Sequence, residues 1–111
     1  MNDAYLITKL NVQGCSGVVV KKGILYSCST TPEFLIVPKG IVGLYRGCLS
    51  GQDSLIEVTL PDTLQEIGLS CFANCPNLTR IRCKSNLDKF HDMLKSGNKG
   101  VIINVYTIGK I

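Results

Sequence analysis

The chain of 111 residues has no tryptophan, only three phenylalanines and a single histidine, His91. One histidine excludes H-E-x-x-H and every metal or acid–base site that needs two imidazoles. G-x-S-x-G, G-x-G-x-x-G and the P-loop are missing too, so the grouped residues of the common hydrolase, dehydrogenase and nucleotide-hydrolysing sites are not there. We expect no catalytic activity, no metal and no cofactor. Long apolar runs are also lacking. Stretches such as Val18 to Val20 and Val101 to Ile103 fall far below the roughly 18 residues of a membrane span. The opening Met1-Asn2-Asp3-Ala4-Tyr5 has no basic end, apolar stretch and cleavage site of a signal peptide, and a cytoplasmic location is expected.

Charge is sparse, 18% of residues, and uneven. Before Arg80 there are five basic and six acidic side chains; from Arg80 onward there are seven and two, so the net +4 comes from the C-terminal third. A basic third suits an acidic protein surface or a phosphate backbone, and equally an ordinary solvated face. Six cysteines stand out in so small a chain. Cys48, Cys71 and Cys83 occupy positions that call for a small buried residue, which is how a reduced thiol behaves in a core. Cys71-x-x-x-Cys75 with Cys83 lacks the second paired motif of a structural zinc site.

What the chain has is a tandem repeat. Residues 38–60 and 61–83 are equal in length, and apolar or small residues recur 23 apart: Ile41 with Leu64, Leu44 with Ile67, Cys48 with Cys71, Leu49 with Phe72, Leu55 with Leu78, Val58 with Ile81, Leu60 with Cys83. A period of 20 to 50 residues marks a solenoid, whose units bury their apolar faces only against neighbours. The frame extends back to Cys15, where Pro32, Leu35 and Val37 stay in register while Gly23 to Ser27 do not copy the later units.

Leu55-x-x-Val58-x-Leu60 and Leu78-x-x-Ile81-x-Cys83 each predict a short strand with alternate residues outward, and Pro61 after Leu60, like Pro38 after Val37, suits a strand's end. Leu64 to Phe72 then reads as a short helical or 3₁₀ return, and Asn74-Cys75-Pro76-Asn77 as a turn. Ser85 to Asp88 opens a predicted helix with Leu87, Phe90, His91 and Leu94 on one face and Gly97 as its stop; His91, beside Asp92, reads as a structural residue of that face. Val101 to Tyr106 reads as a strand extending the sheet, and Leu6 to Val12 as an N-terminal cap strand. Asn77-Leu78-Thr79 matches a glycosylation sequon, but Leu78 belongs to the expected core.

The unit from Pro61-Asp62-Thr63-Leu64-Gln65-Glu66-Ile67 through Gly68-Leu69-Ser70-Cys71-Phe72-Ala73-Asn74-Cys75-Pro76-Asn77-Leu78-Thr79-Arg80-Ile81 resembles the BspA-type leucine-rich repeat, in which a proline, an Ile-Gly pair and a Phe are followed by Cys and Leu. Residues 23–40 are similar to the opening unit of that family and residues 86–94 to its closing helix. The unit from Pro38 departs, with Gln52 in place of the cysteine, Cys48-Leu49 in place of Ala-Phe, and Gly43-Leu44 inverting Ile-Gly. The resemblance implies an α/β solenoid, a short leucine-rich-repeat array of about three 23-residue units. As one domain over 1–111, it would carry an N-terminal cap over 1–14, repeats over 15–84 and a C-terminal cap helix plus strand over 85–111.

Members of that family are typically long surface proteins that bind host proteins or other cells. A short array implies an interaction role, such as a small inhibitor or adaptor of a larger host protein carried by a phage or mobile element. Its partner is expected to be another protein, met on the outward strip of Phe34 and Ile36, Glu57 and Thr59, Arg80 and Arg82. Phe34 and Ile36 would be the apolar anchor and the two arginines the charged readers. A plainer reading has Glu57 pair with Arg80 as an ordinary cross-strand bridge and the N-terminal segment cover Phe34 and Ile36. The alternative function is nucleic acid binding by Arg80, Arg82, Lys84, Lys89 and Lys95.

Overall fold

The structure, a computed structural model, describes residues 14–84, 90–95 and 101–106, without the side chains of residues 84, 91, 92 and 103–106. Among the described residues the strands are β1 (Val19–Lys21), β2 (Ile24–Ser27), β3 (Phe34–Ile36), β4 (Gly43–Leu44), β5 (Glu57–Thr59), β6 (Glu66–Ile67), β7 (Arg80–Lys84) and β8 (Ile102–Tyr106), and a short helix, α1 (His91–Lys95), precedes β8. The N-terminal cap strand expected over Leu6 to Val12 lies outside the described residues, as does Leu87 of the expected closing helix.

The chain passes back and forth between two four-stranded sheets, β1-β2-β4-β6 and β3-β5-β7-β8. Among the described strands all pairings are parallel except the hairpin β1-β2. Lys22 and Gly23 form that hairpin's turn with φ of 54° and 79°, the pair of left-handed residues that a two-residue type I′ turn requires. In the second sheet Leu35 pairs with Val58 and Val58 with Ile81, each step one full period of the repeat. In the first sheet Leu44 pairs with Ile67 at the same spacing. The repeat counted along the chain is therefore the register of both sheets, and all seven matched pairs are buried. The core lies between the sheets because strand side chains alternate, sending Leu35, Val58 and Ile81 inward, each no more than 1% exposed.

The first circuit departs from the frame. Leu25 pairs with Leu44, a step four short of the full period, and the arc from Leu25 to Leu35 is shorter by the same amount than those from Leu44 to Val58 and from Ile67 to Ile81. The shortened return moves neither end out of its stack. The register also reassigns the inverted Ile-Gly pair, because Gly43 stands opposite Glu66 while Tyr45 falls one period before Gly68.

The helical return expected over Leu64 to Phe72 is corrected to strand β6 followed by turns. A helix would bond its own amides four residues back, but here Gln65 and Gly68 donate to Val42 and Leu44 of the preceding circuit, both at 2.8 Å. Bonding between circuits also runs beyond the strands. The amides of Gly47, Leu49 and Gly51 donate to the carbonyls of Leu69, Cys71 and Ala73, at 3.1, 3.0 and 2.8 Å.

Side chains of later circuits also bond to the backbone of earlier ones. Gln52 donates to the Cys28 carbonyl, Thr63 to Ile41, Cys75 to Leu49, Asn77 to Asp53 and Thr79 to Ile56, at 3.1, 3.0, 3.3, 2.6 and 3.2 Å. The first four satisfy carbonyls on arcs between the strands, while the Ile56 carbonyl also accepts the Thr79 amide at 2.8 Å. Gln52, where the resemblance expected cysteine, is one of these donors. At the far end Leu94 of α1 and Val101 before β8 are buried, and Phe90 packs against the same core.

Candidate interaction surface

Because β3, β5, β7 and β8 are in parallel register, their outward residues form two rows. One is Phe34, Glu57, Arg80 and Ile102; the other is Ile36, Thr59 and Arg82. Neighbouring strands lie about 4.8 Å apart, so each row is a continuous line of side chains rather than scattered points. The six residues singled out from the sequence are brought together on this face. Phe34 is 62% and Ile36 68% exposed, unusual for large apolar side chains in a strand. Arg80 and Arg82 are exposed, while Glu57 and Thr59 are half-buried between the outer residues.

Glu57 carries the electrostatics of the strip. Its two carboxylate oxygens face Arg80 at 3.8 Å and Arg82 at 4.0 Å, so one negative charge is shared by two positive ones. The cross-strand pairing of Glu57 with Arg80 is thus present, and it extends to Arg82. These distances exceed the roughly 2.7–2.9 Å of a charge-assisted hydrogen bond, and pairs this open to water contribute at most about 1 kcal/mol. Both arginine side chains stay about half exposed, and with Glu57 the group of three carries a net charge of +1.

Sequence reasoning missed Ile102, which is 56% exposed and lies beside Arg80. The step from Arg80 to Ile102 is one short of the repeat period, and the intervening helix hides the register. The strip thus has apolar side chains at both ends and charge in the middle. A second feature missed from sequence lies on the other sheet. The Tyr26 and Tyr45 rings meet with centroids 4.9 Å apart and planes tilted by 39°, and Tyr45 borders a depression of about 300 Å³ whose lining includes Ile24, Arg46, Glu66 and Gly68.

None of the six cysteines is in a disulfide, and all but Cys15 are buried. Two thiol pairs are in hydrogen-bonding contact, Cys15 with Cys28 and Cys48 with Cys71. In each the bond, reinforced by burial, pushes the first thiol well above its ordinary value. Burial raises Cys75 as well. Among the described residues, no three His, Cys, Asp or Glu side chains are grouped to hold a metal ion, and no helix is long and apolar enough to cross a membrane. The Lys84 and His91 side chains and all of Lys89 fall outside the described residues.

Residues 17–101 match the family described as the BspA type leucine rich repeat region (6 copies). Comparison with curated proteins and with solved structures gives no match.

Proposed function

Because the chain belongs to the BspA-type leucine-rich repeat family, we propose that it is a non-catalytic protein-binding module whose contact surface is the outward face of β3, β5, β7 and β8. Leucine-rich repeats commonly mediate protein binding, and the observation that carries the assignment to this face is the row of exposed apolar side chains flanking a charged centre. Aromatic and arginine side chains are the residue types enriched where interfaces concentrate their energy. In this reading residues 1–111 are one domain, a short solenoid of about three units with cap segments over 1–14 and 85–111. It acts as an inhibitor or adaptor of a larger protein.

The central carboxylate favours a protein partner over nucleic acid. Glu57 lies beside both arginines, so it offsets one of their two positive charges and weakens their attraction for a phosphate. Separate Phe34→Ser and Arg80→Glu/Arg82→Glu variants test the surface by affinity capture. Both should keep the wild-type circular dichroism while losing the captured protein, with a lower unfolding midpoint in the charge-reversal variant, where two new carboxylates face Glu57. Capture unchanged in both rejects the strip. A titration at two salt concentrations tests the partner class, since phosphate contacts by several basic residues predict affinity falling steeply with salt.

A further inference from the structure

We propose that Cys15 and Cys28 form a site of reversible oxidation, a thiol pair that a peroxide converts to a disulfide within the folded protein. The backbone joins the two segments that carry these residues. The Ser16 amide donates to the Thr30 carbonyl at 3.1 Å and the Ser29 amide to the Ser16 carbonyl at 2.8 Å, forming an isolated antiparallel bridge. The Ser16 and Thr30 hydroxyls are hydrogen-bonded as well. Gly17, at φ 63°, lets the strands approach, because an added Cβ would collide with Ser29. The Cys28 thiol lies 3.0 Å from the Thr30 carbonyl and 3.6 Å from that of Ser16, the residue bonded to Cys15. The two thiols interact side chain to side chain, and turning them toward each other leads to the ~2.05 Å bond.

Access separates this pair from its counterpart. Cys48 and Cys71 are also in contact, but they are 4% and 0% exposed, whereas Cys15 is the one cysteine of the six that reaches the surface. Thiol oxidation follows exposure as well as proximity. In the reaction the two thiols give up two electrons and two protons, the S–S bond forms, the peroxide O–O bond breaks and two waters leave. Gly14, beside Cys15, packs on Pro32, and these two line a cavity of about 360 Å³ with Phe34 and Ile36. The disulfide therefore anchors the chain beside the apolar end of the strip. That consequence rests on the proposed function; the oxidation itself does not.

The test is to treat the folded full-length chain with hydrogen peroxide, block remaining thiols, and digest with trypsin. Lys21 and Lys22 lie between the two cysteines, so Cys15 falls on residues 10–21 and Cys28 on residues 23–39, with no other cysteine on either peptide. We expect these peptides linked, the thiol titre falling from six to four, and dithiothreitol restoring it. Cys15→Ser, a change at a half-buried site, should keep its five thiols. A linked pair seen only in urea-unfolded protein, thiols lost without it, or loss from Cys15→Ser at the wild-type rate would each overturn the proposal.

Discussion

At Gly68 a Cβ would stand 2.6 Å from the Arg46 amide nitrogen and 2.9 Å from its Cα, so the glycine is where two circuits approach closely. The atoms in the way are backbone, which can yield only if the sheet opens. Gly68→Ala should therefore cost about 2 kcal/mol, as overpacking does elsewhere. Gly51 is glycine for a different reason. Its φ is 72°, an added Cβ there meets nothing within 4 Å, and Asn74, one period on, holds φ 60°. Gly47 and Ser70 share the same relation, with φ of 67° and 58°. The left-handed backbone thus repeats even where the glycine does not, since asparagine tolerates this region. Gly51→Asn should accordingly stay within about 0.5 kcal/mol of wild type, as a harmless surface change does. Urea unfolding of both variants checks the contrast; equal effects would mean that close approach is not what requires glycine at position 68.

Among elements, the stacked arcs depend on side chains from the next circuit. Gln52 is 7% exposed and donates to the Cys28 carbonyl; Asn77 makes an equivalent bond from an exposed position. Gln52→Ala leaves a buried carbonyl unsatisfied and should cost about 2 kcal/mol, whereas water replaces the lost donor in Asn77→Ala, which should cost under about 1 kcal/mol. If Asn77→Ala proved the costlier in urea denaturation, burial would not be what sets the value of these bonds. Gln52 also illustrates what a sequence discloses. As a departure from the repeat it looked like a defect, because residue type was visible and the carbonyl it serves was not. The strands β3, β5 and β7 were legible, since an unbroken repeat count fixes Phe34 beside Glu57 beside Arg80. The second sheet was not. Glu66 and Ile67 form too short a strand to show alternation, and it is a strand only because Val42 and Leu44 lie beneath it. The hairpin at Lys22-Gly23 was missed because lysine is not a residue expected at positive φ.

A stack of this kind has two ends, and each exposes apolar surface that only a dissimilar segment can cover. The far end shows how. Phe90, Leu94 of α1 and Val101 lie against the core beside the last repeat, and β8 adds a fourth strand to its sheet. Leu94 is 0% exposed although α1 is only a little over one turn long, too short for a stable helix alone, so packing rather than propensity must hold it. Truncating Leu94 therefore tests whether the end is coupled to the whole. Leu94→Ala should cost about 3 kcal/mol, the range of a buried leucine that leaves a cavity. If α1 and β8 unfold with the stack, the urea midpoint falls and the slope of stability against urea is unchanged. Should the slope fall as well, the C-terminal segment detaches first. Ile102 would then leave its place beside Arg80 under conditions that keep Phe34 and Ile36 in register, and a partner needing both apolar ends of the strip would bind only the fully closed form.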